Sequence, residues 1–161
     1  MKKRGLAGAG WLTVSAALVL MDQISKLWAE RTLLTGGGMP LIAGVVGFRY
    51  AENTGAAFSA LSGSTGLLSV VSLAICAAVA VYLLRHPEAD WLTKLSLSMI
   101  LAGGAGNLID RIARGYVIDF IELLFMKFAI FNWADICVTA GAALLFIALL
   151  RGGEKSGGME R

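Results

Sequence analysis

Asp22, Lys26, Asn53, Asn107, Asp110, Arg111, Asp119, Asn132 and Asp135 draw attention because each interrupts or borders sequence that is otherwise apolar. Two carboxylates brought within ~3 Å of each other cannot both ionise, so they share one proton. The charged member can take a proton from water as it attacks a carbonyl, while the protonated member hydrogen-bonds the carbonyl oxygen. That is amide hydrolysis with neither a metal nor an imidazole. The chain has a single histidine, His86, which follows Arg85 in a short polar turn. One histidine excludes an HExxH zinc site and makes a Ser-His-Asp triad hard to build. No metal and no cofactor is expected. Cys76 lies inside an apolar run and Cys137 at the start of another, so both read as small packing residues and not as a disulfide framework.

The elements that must position these groups follow from composition. Hydrophobic residues make up 57% of the chain and charged ones 16%, against ~45–50% and ~25% in soluble domains. The apolar residues come in long runs, of about Leu6–Ala29, Thr65–Leu84, Trp91–Leu108 and Trp133–Leu150. Each approaches the ~20 residues needed to cross ~30 Å of hydrocarbon as a helix. The first run is long and lacks a small-x-small cleavage site, so it reads as a retained helix and not as a cleaved leader. The expected fold is an all-α membrane protein of four transmembrane helices, in one integral membrane domain. Met39–Phe58 mixes Val45, Val46, Phe48 and Tyr50 with glycines, which predicts a small extended platform in the first outer loop. The Gly-rich charged tail, 151–161, is expected to lack fixed structure.

Orientation follows from Lys and Arg. With the N-terminus inside, eight lie in inner segments and five in outer loops, which puts both termini in the cytoplasm. The net charge of +3 forms no stripe or cluster, so no nucleic-acid partner is expected. Membrane lipids are.

Within this frame the polar residues converge on one depth. Asp22 and Lys26 lie toward the outer end of the first span, four residues apart on one helical face. Asn107, Asp110 and Arg111 lie at the outer end of the third, and Asn132 and Asp135 open the fourth. Several have plain structural explanations. Asp22 with Lys26 can be an interfacial ion pair, and Asn132 can be a helix cap. Asp110 beside Arg111 reads as an interfacial charge pair more readily than as catalytic groups. Asp119, inside the apolar stretch Val117–Ile121, and Asp135, one turn into an apolar helix, are better explained by function. The N-terminal dipole of its helix favours the charged form of Asp135.

The segments DQISK (22–26), NTGAAFS (53–59), GNLIDR (106–111), GYVIDF (115–120) and FNWAD (131–135) resemble, in order and spacing, those of signal peptidase II, the lipoprotein signal peptidase family of bacteria. The resemblance runs from about Trp11 to Leu150. It implies that Asp119 and Asp135 form a catalytic aspartic dyad. Asn53, Asn107, Arg111 and Asn132 would bind the substrate backbone or support the dyad, with Asp22 and Lys26 nearby. The substrate would be a prolipoprotein whose cysteine carries a diacylglyceryl group, cleaved just before that cysteine. A bacterial inner-membrane location, an active site near the outer face and a monomeric state go with it. Trp133 and Ile136 depart from the family pattern.

Two other readings remain open on the residues alone. One is a small transporter or proton-conducting protein, although its acids would be spread through the depth of the bilayer. The other is a Ser-Lys peptidase, with Lys26 as base and Ser59 or Ser64 as nucleophile.

Overall fold

The computed structural model describes residues 2–55 and 65–157. In chain order the elements are α1 (Lys2–Leu33), β1 (Met39–Ile42), β2 (Val46–Asn53), α2 (Thr65–Arg85), α3 (Trp91–Arg114), β3 (Val117–Leu123) and α4 (Trp133–Gly157). The expected helical architecture with a small extended platform is the one observed.

α3 packs against each of the other three helices. Asp90 caps its start by accepting the N–H groups of Leu92 and Thr93, at 3.0 and 3.1 Å. It does not end at Leu108 as the apolar run implies. No helix breaker intervenes before Gly115, whose φ of 84° supplies the left-handed C-cap. The extra turns put Asp110 and Arg111 on the helix and aim the chain into β3.

α2, α3 and the Trp133–Arg151 part of α4 are long and apolar enough to cross a membrane. α1, at 32 residues, is ~48 Å long and also long enough. Its apolar character is broken by Asp22, Gln23 and Lys26. Asp22 and Lys26 are buried against α3, so their charges do not meet lipid. Serines reinforce this contact at apolar depth: Ser15 Oγ donates to Ser98 O at 3.1 Å, and Ser98 Oγ to Trp11 O at 3.2 Å. Apolar side chains such as Leu67, Val70, Phe146 and Leu149 are exposed on α2 and α4, which suits lipid as solvent.

The tail differs from its expectation. α4 continues to Gly157, because extending a formed helix adds a hydrogen bond for each residue fixed. Residues 158–161 lie outside those described.

The sheet has the order β1-β2-β3, all antiparallel. The segment between α1 and α2 gives β1 and β2, as the glycine-punctuated pattern predicts. β3 comes from the segment between α3 and α4, which the sequence reading left without a strand. Its alternation is legible in retrospect. Ile118 and Phe120 point into a buried cluster with Ala29 and Leu33 of α1, and Trp28 stacks edge-on against Phe48 and Phe120. Val117 and Asp119 point the other way, into a cavity. Both faces of the strand are therefore covered, which is why VIDFI reads as almost continuously apolar.

Candidate active site

The sheet lies at the end of the bundle where α1 and α3 finish and α4 begins. Asp22, Lys26, Asn53, Asn107, Asp110, Arg111, Asp119, Asn132 and Asp135 all collect there. Ser59 and Ser64 lie outside the described residues.

Asp119 is 2% exposed. Asn53 pairs with Val117 and Ala51 with Asp119 across β2 and β3, so Asn53 and Asp119 are diagonal neighbours on one face. Asn53 Nδ2 accordingly donates to Asp119 Oδ2 at 2.9 Å. Asn53 Oδ1 accepts the Gly55 N–H, which fixes the amide's orientation.

Asp135 is the third residue of α4, and Asn132 is the residue before the helix. The two form a reciprocal cap: Asp135 N–H donates to Asn132 Oδ1 at 3.0 Å, and Asn132 N–H to Asp135 Oδ2 at 3.2 Å. The other side of the Asn132 amide faces Asp119, with Nδ2 2.6 Å from Asp119 Oδ1. The cap and the functional contact are thus one residue with two ends. Asn107 completes the arrangement from α3, donating to Asp135 Oδ1 at 2.8 Å. Both carboxylates are therefore held by amides, and one amide residue, Asn132, bonds to both.

Burial pushes the Asp119 carboxyl up to about 7, and the Asp135 charge adds to the rise. Hydrogen bonds from Asn53 and Asn132 and the charge of Lys26 pull the other way. Near neutral pH the pair can thus hold one proton, the state that acid–base hydrolysis needs.

Asp119, Asp135, Asn53, Asn107 and Arg111 all line one cavity of about 770 Å³ between α2, α3 and α4. Most of the rest of its wall is apolar. On α4 the lining runs from Asp135 to Ala143, ~12 Å along the helix. Arg111 Nη2 reaches Gly55 O at 3.4 Å, while its Nε is buried with no partner among the described residues. That leaves an N–H donor free for a carbonyl.

Asp22, Lys26 and Asp110 form a separate cluster. Lys26 Nζ is 2.9 Å from Asp22 Oδ2, from Asp110 Oδ2 and from Asn107 Oδ1, so its three donors have three acceptors. Lys26 and Asp110 are 0% exposed. This corrects the reading of Asp110 as an interfacial partner of Arg111. Asp110 faces α1, where Lys26 is placed to neutralise it, while Arg111 turns to the cavity. It also weighs against Lys26 as the base of a Ser-Lys pair, since the ammonium is sealed and fully engaged. The sequence reading did not single out Gln23 or Gly106. Gln23 Nε2 contacts Asp22, Gly106 O and Asp110, and a side chain at Gly106 would collide with the Asp22 carboxylate. Gln23 lies inside DQISK and Gly106 opens GNLIDR, so the signal was present in the motifs.

The sequence model of signal peptidase (SPase) II matches residues 14–151. The chain belongs to the signal peptidase II family. Lipoprotein signal peptidases of Streptococcus pyogenes serotypes M2 and M1 are each 42% identical to it over 132 residues, covering 82% of this chain and 87% of theirs. A bacterial membrane enzyme solved by the in meso method at 2.3 Å superposes with a TM-score of 0.84 at 28% identity, over 91% of both chains. A second such structure, at 1.9 Å, gives 0.78 at 29% identity, over 88% of this chain and 93% of that one. The protein is a membrane-embedded protease, and the transporter reading is set aside.

Proposed function

We propose that this peptidase removes the signal peptide from diacylglyceryl-modified prolipoproteins, cutting just before the lipidated cysteine, with Asp119 and Asp135 as an aspartic dyad. The observation that carries the reading is Asn132, one residue bonded to both carboxylates at the wall of an apolar cavity.

The chemistry follows from the groups present. The pair holds one proton, mainly on Asp119, whose burial disfavours its charge. Asp135 takes a proton from a water molecule as it attacks the scissile carbonyl, and Asp119 hydrogen-bonds the developing oxyanion. Asp135 then passes that proton to the amide nitrogen as the C–N bond breaks, so the new acid and the amine leave and Asp119 keeps its proton for the next turnover. The three asparagines hold both carboxylates through neutral donors, so neither is neutralised outright. Arg111 offers its free Nε–H to a substrate backbone carbonyl. The apolar wall below the dyad suits a hydrophobic signal segment, and a lipid-anchored cysteine would keep the scissile bond at the depth of the dyad.

The test is incubation of the purified peptidase with one precursor peptide in lipidated and unlipidated forms. Cleavage of the lipidated form alone, at the bond before the cysteine, is expected. Equal cleavage of both would overturn the substrate assignment.

The proposed setting is the bacterial inner membrane, with both termini cytoplasmic and the site at the outer face, supported by the distribution of Lys and Arg. Single cysteines at Gly37 and Ala89, in a chain lacking Cys76 and Cys137, should label from opposite sides of the membrane. Labelling from one side would sink the orientation.

A further inference from the structure

The Asp22–Lys26–Asp110 cluster lines no part of the cavity. Sealing an ammonium and two carboxylates from water is costly, and apolar residues of similar volume commonly pack as well or better. The contacts give the cluster a different use. Asp22 Oδ1 accepts the N–H of Ala134, the residue before Asp135, at 3.0 Å. Asp110 Oδ2 accepts the N–H of Ile118, the residue before Asp119, at 3.3 Å. Lys26 ties the two carboxylates together and gives its third donor to Asn107, whose amide holds Asp135.

We infer that Asp110 is a positioning residue. Through Lys26 and Asp22 it fixes the main chain beside Asp119 relative to the main chain beside Asp135, and so sets the separation of the two carboxylates. This rests on the dyad reading above. Asp110 and Asp22 lie on α3 and α1, two helices packed on each other, while the segments they hold, β3 and the start of α4, are joined by the loop 124–132. A cluster locked by charge at fixed helix positions is stiffer than that loop. Displacing a reacting group by ~1 Å costs about a hundredfold in rate, so the effect falls on turnover and not on substrate binding.

The experiment measures kcat and KM separately on a lipidated precursor, with thermal unfolding of the same purified proteins. Asp110→Asn keeps the shape and an acceptor for Ile118 but loses the ion pair. Asp110→Glu keeps the charge and moves the carboxylate by one methylene. Each should lower kcat about ten- to a hundredfold and leave KM within about twofold, with a cooperative unfolding transition. Parent-like kcat in both folded variants would overturn the inference, and so would a rise in KM at unchanged kcat. Failure of both to fold would also overturn it, leaving the cluster a plain structural ion pair. Asp119→Asn and Asp135→Asn are assayed alongside. If they are inactive while the Asp110 variants match the parent, only the positioning role fails. If they cleave, the dyad itself fails.

Discussion

Two groupings of carboxylates stand side by side at the sheet end of the bundle, and they differ in what lies between the acids. Between Asp22 and Asp110 sits an ammonium, Lys26, with all three donors engaged. Between Asp119 and Asp135 sits a neutral amide, Asn132. The first grouping is sealed from solvent, with one ammonium in contact with both acids. The second borders a cavity and has no cation hydrogen-bonded to either acid among the described residues, which supports the proposal that its acids share one proton. On the proposed reading, chemistry belongs to the pair held by neutral amides and rigidity to the pair bridged by an ammonium. Asn107 touches both groupings and marks the boundary.

The largest effect expected from breaking this contrast comes from the dyad. Asp119→Asn and Asp135→Asn should each lower turnover roughly 10⁴-fold, and the double variant should be scarcely worse, because residues acting as a unit are not additive. Steady-state assays on a precursor peptide measure this. The activity of the parent should fall at both pH extremes, with the alkaline fall setting in near 7 as the pair loses its proton, at apparent values that belong to the pair. Stability carries the same sign. The folded Asp119 keeps its proton while the unfolded carboxyl has lost it, so this group's contribution declines as pH rises from about 4 to about 7. Asp119→Asn should flatten that part of the stability curve. Robust cleavage by either single variant would refute the aspartic mechanism.

Lys26→Met comes next, and its main effect is on stability. It leaves two buried carboxylates without their cation, which should cost about 3–5 kcal/mol in thermal or denaturant unfolding. A change within the ~0–1 kcal/mol typical of exposed pairs would mean that the cluster is open to water and the contrast is false. Because Lys26 also holds Asn107, this variant should lose activity too.

The smallest effect should come from Arg111→Lys, which keeps a charge at the cavity but loses the planar fork and its Nε–H. Loss of one charge-assisted contact predicts a decrease of about tenfold in kcat/KM. Activity equal to the parent would reduce Arg111 to an interfacial charge.

Much of this was legible in the sequence, and what was not has a common cause. The helices could be read because an apolar run reports itself locally. That Asp119 and Asp135 meet at one cavity could be read from the motifs: an acid inside VIDFI has no local partner, while Asp135 does have a local role, in the cap with Asn132. β3 could not, because its partner strand lies 66 residues away at Asn53–Asp119, and a strand covered on both faces looks like any apolar stretch. Asp110 was misread for the same reason. Its neighbour in sequence is Arg111, but its partner in space is Lys26, on a different helix. The ends of α3 and α4 were set short because hydrophobicity stops before hydrogen bonding does. Gly115, not Leu108, is where α3 can stop.

The first helix leaves the ribosome before any partner for its polar face exists. Charged residues at the centre of an inserting helix cost about 2.5–3.5 kcal/mol each, and less toward its ends. Asp22 and Lys26 can offset one another, being one turn apart, but Asn107 and Asp110 arrive more than eighty residues later. The partitioning of α1 into lipid is therefore settled by a helix made after it. Of the four helices α1 is the least willing to enter lipid, and the arrival of α3 completes what hydrophobicity alone leaves marginal.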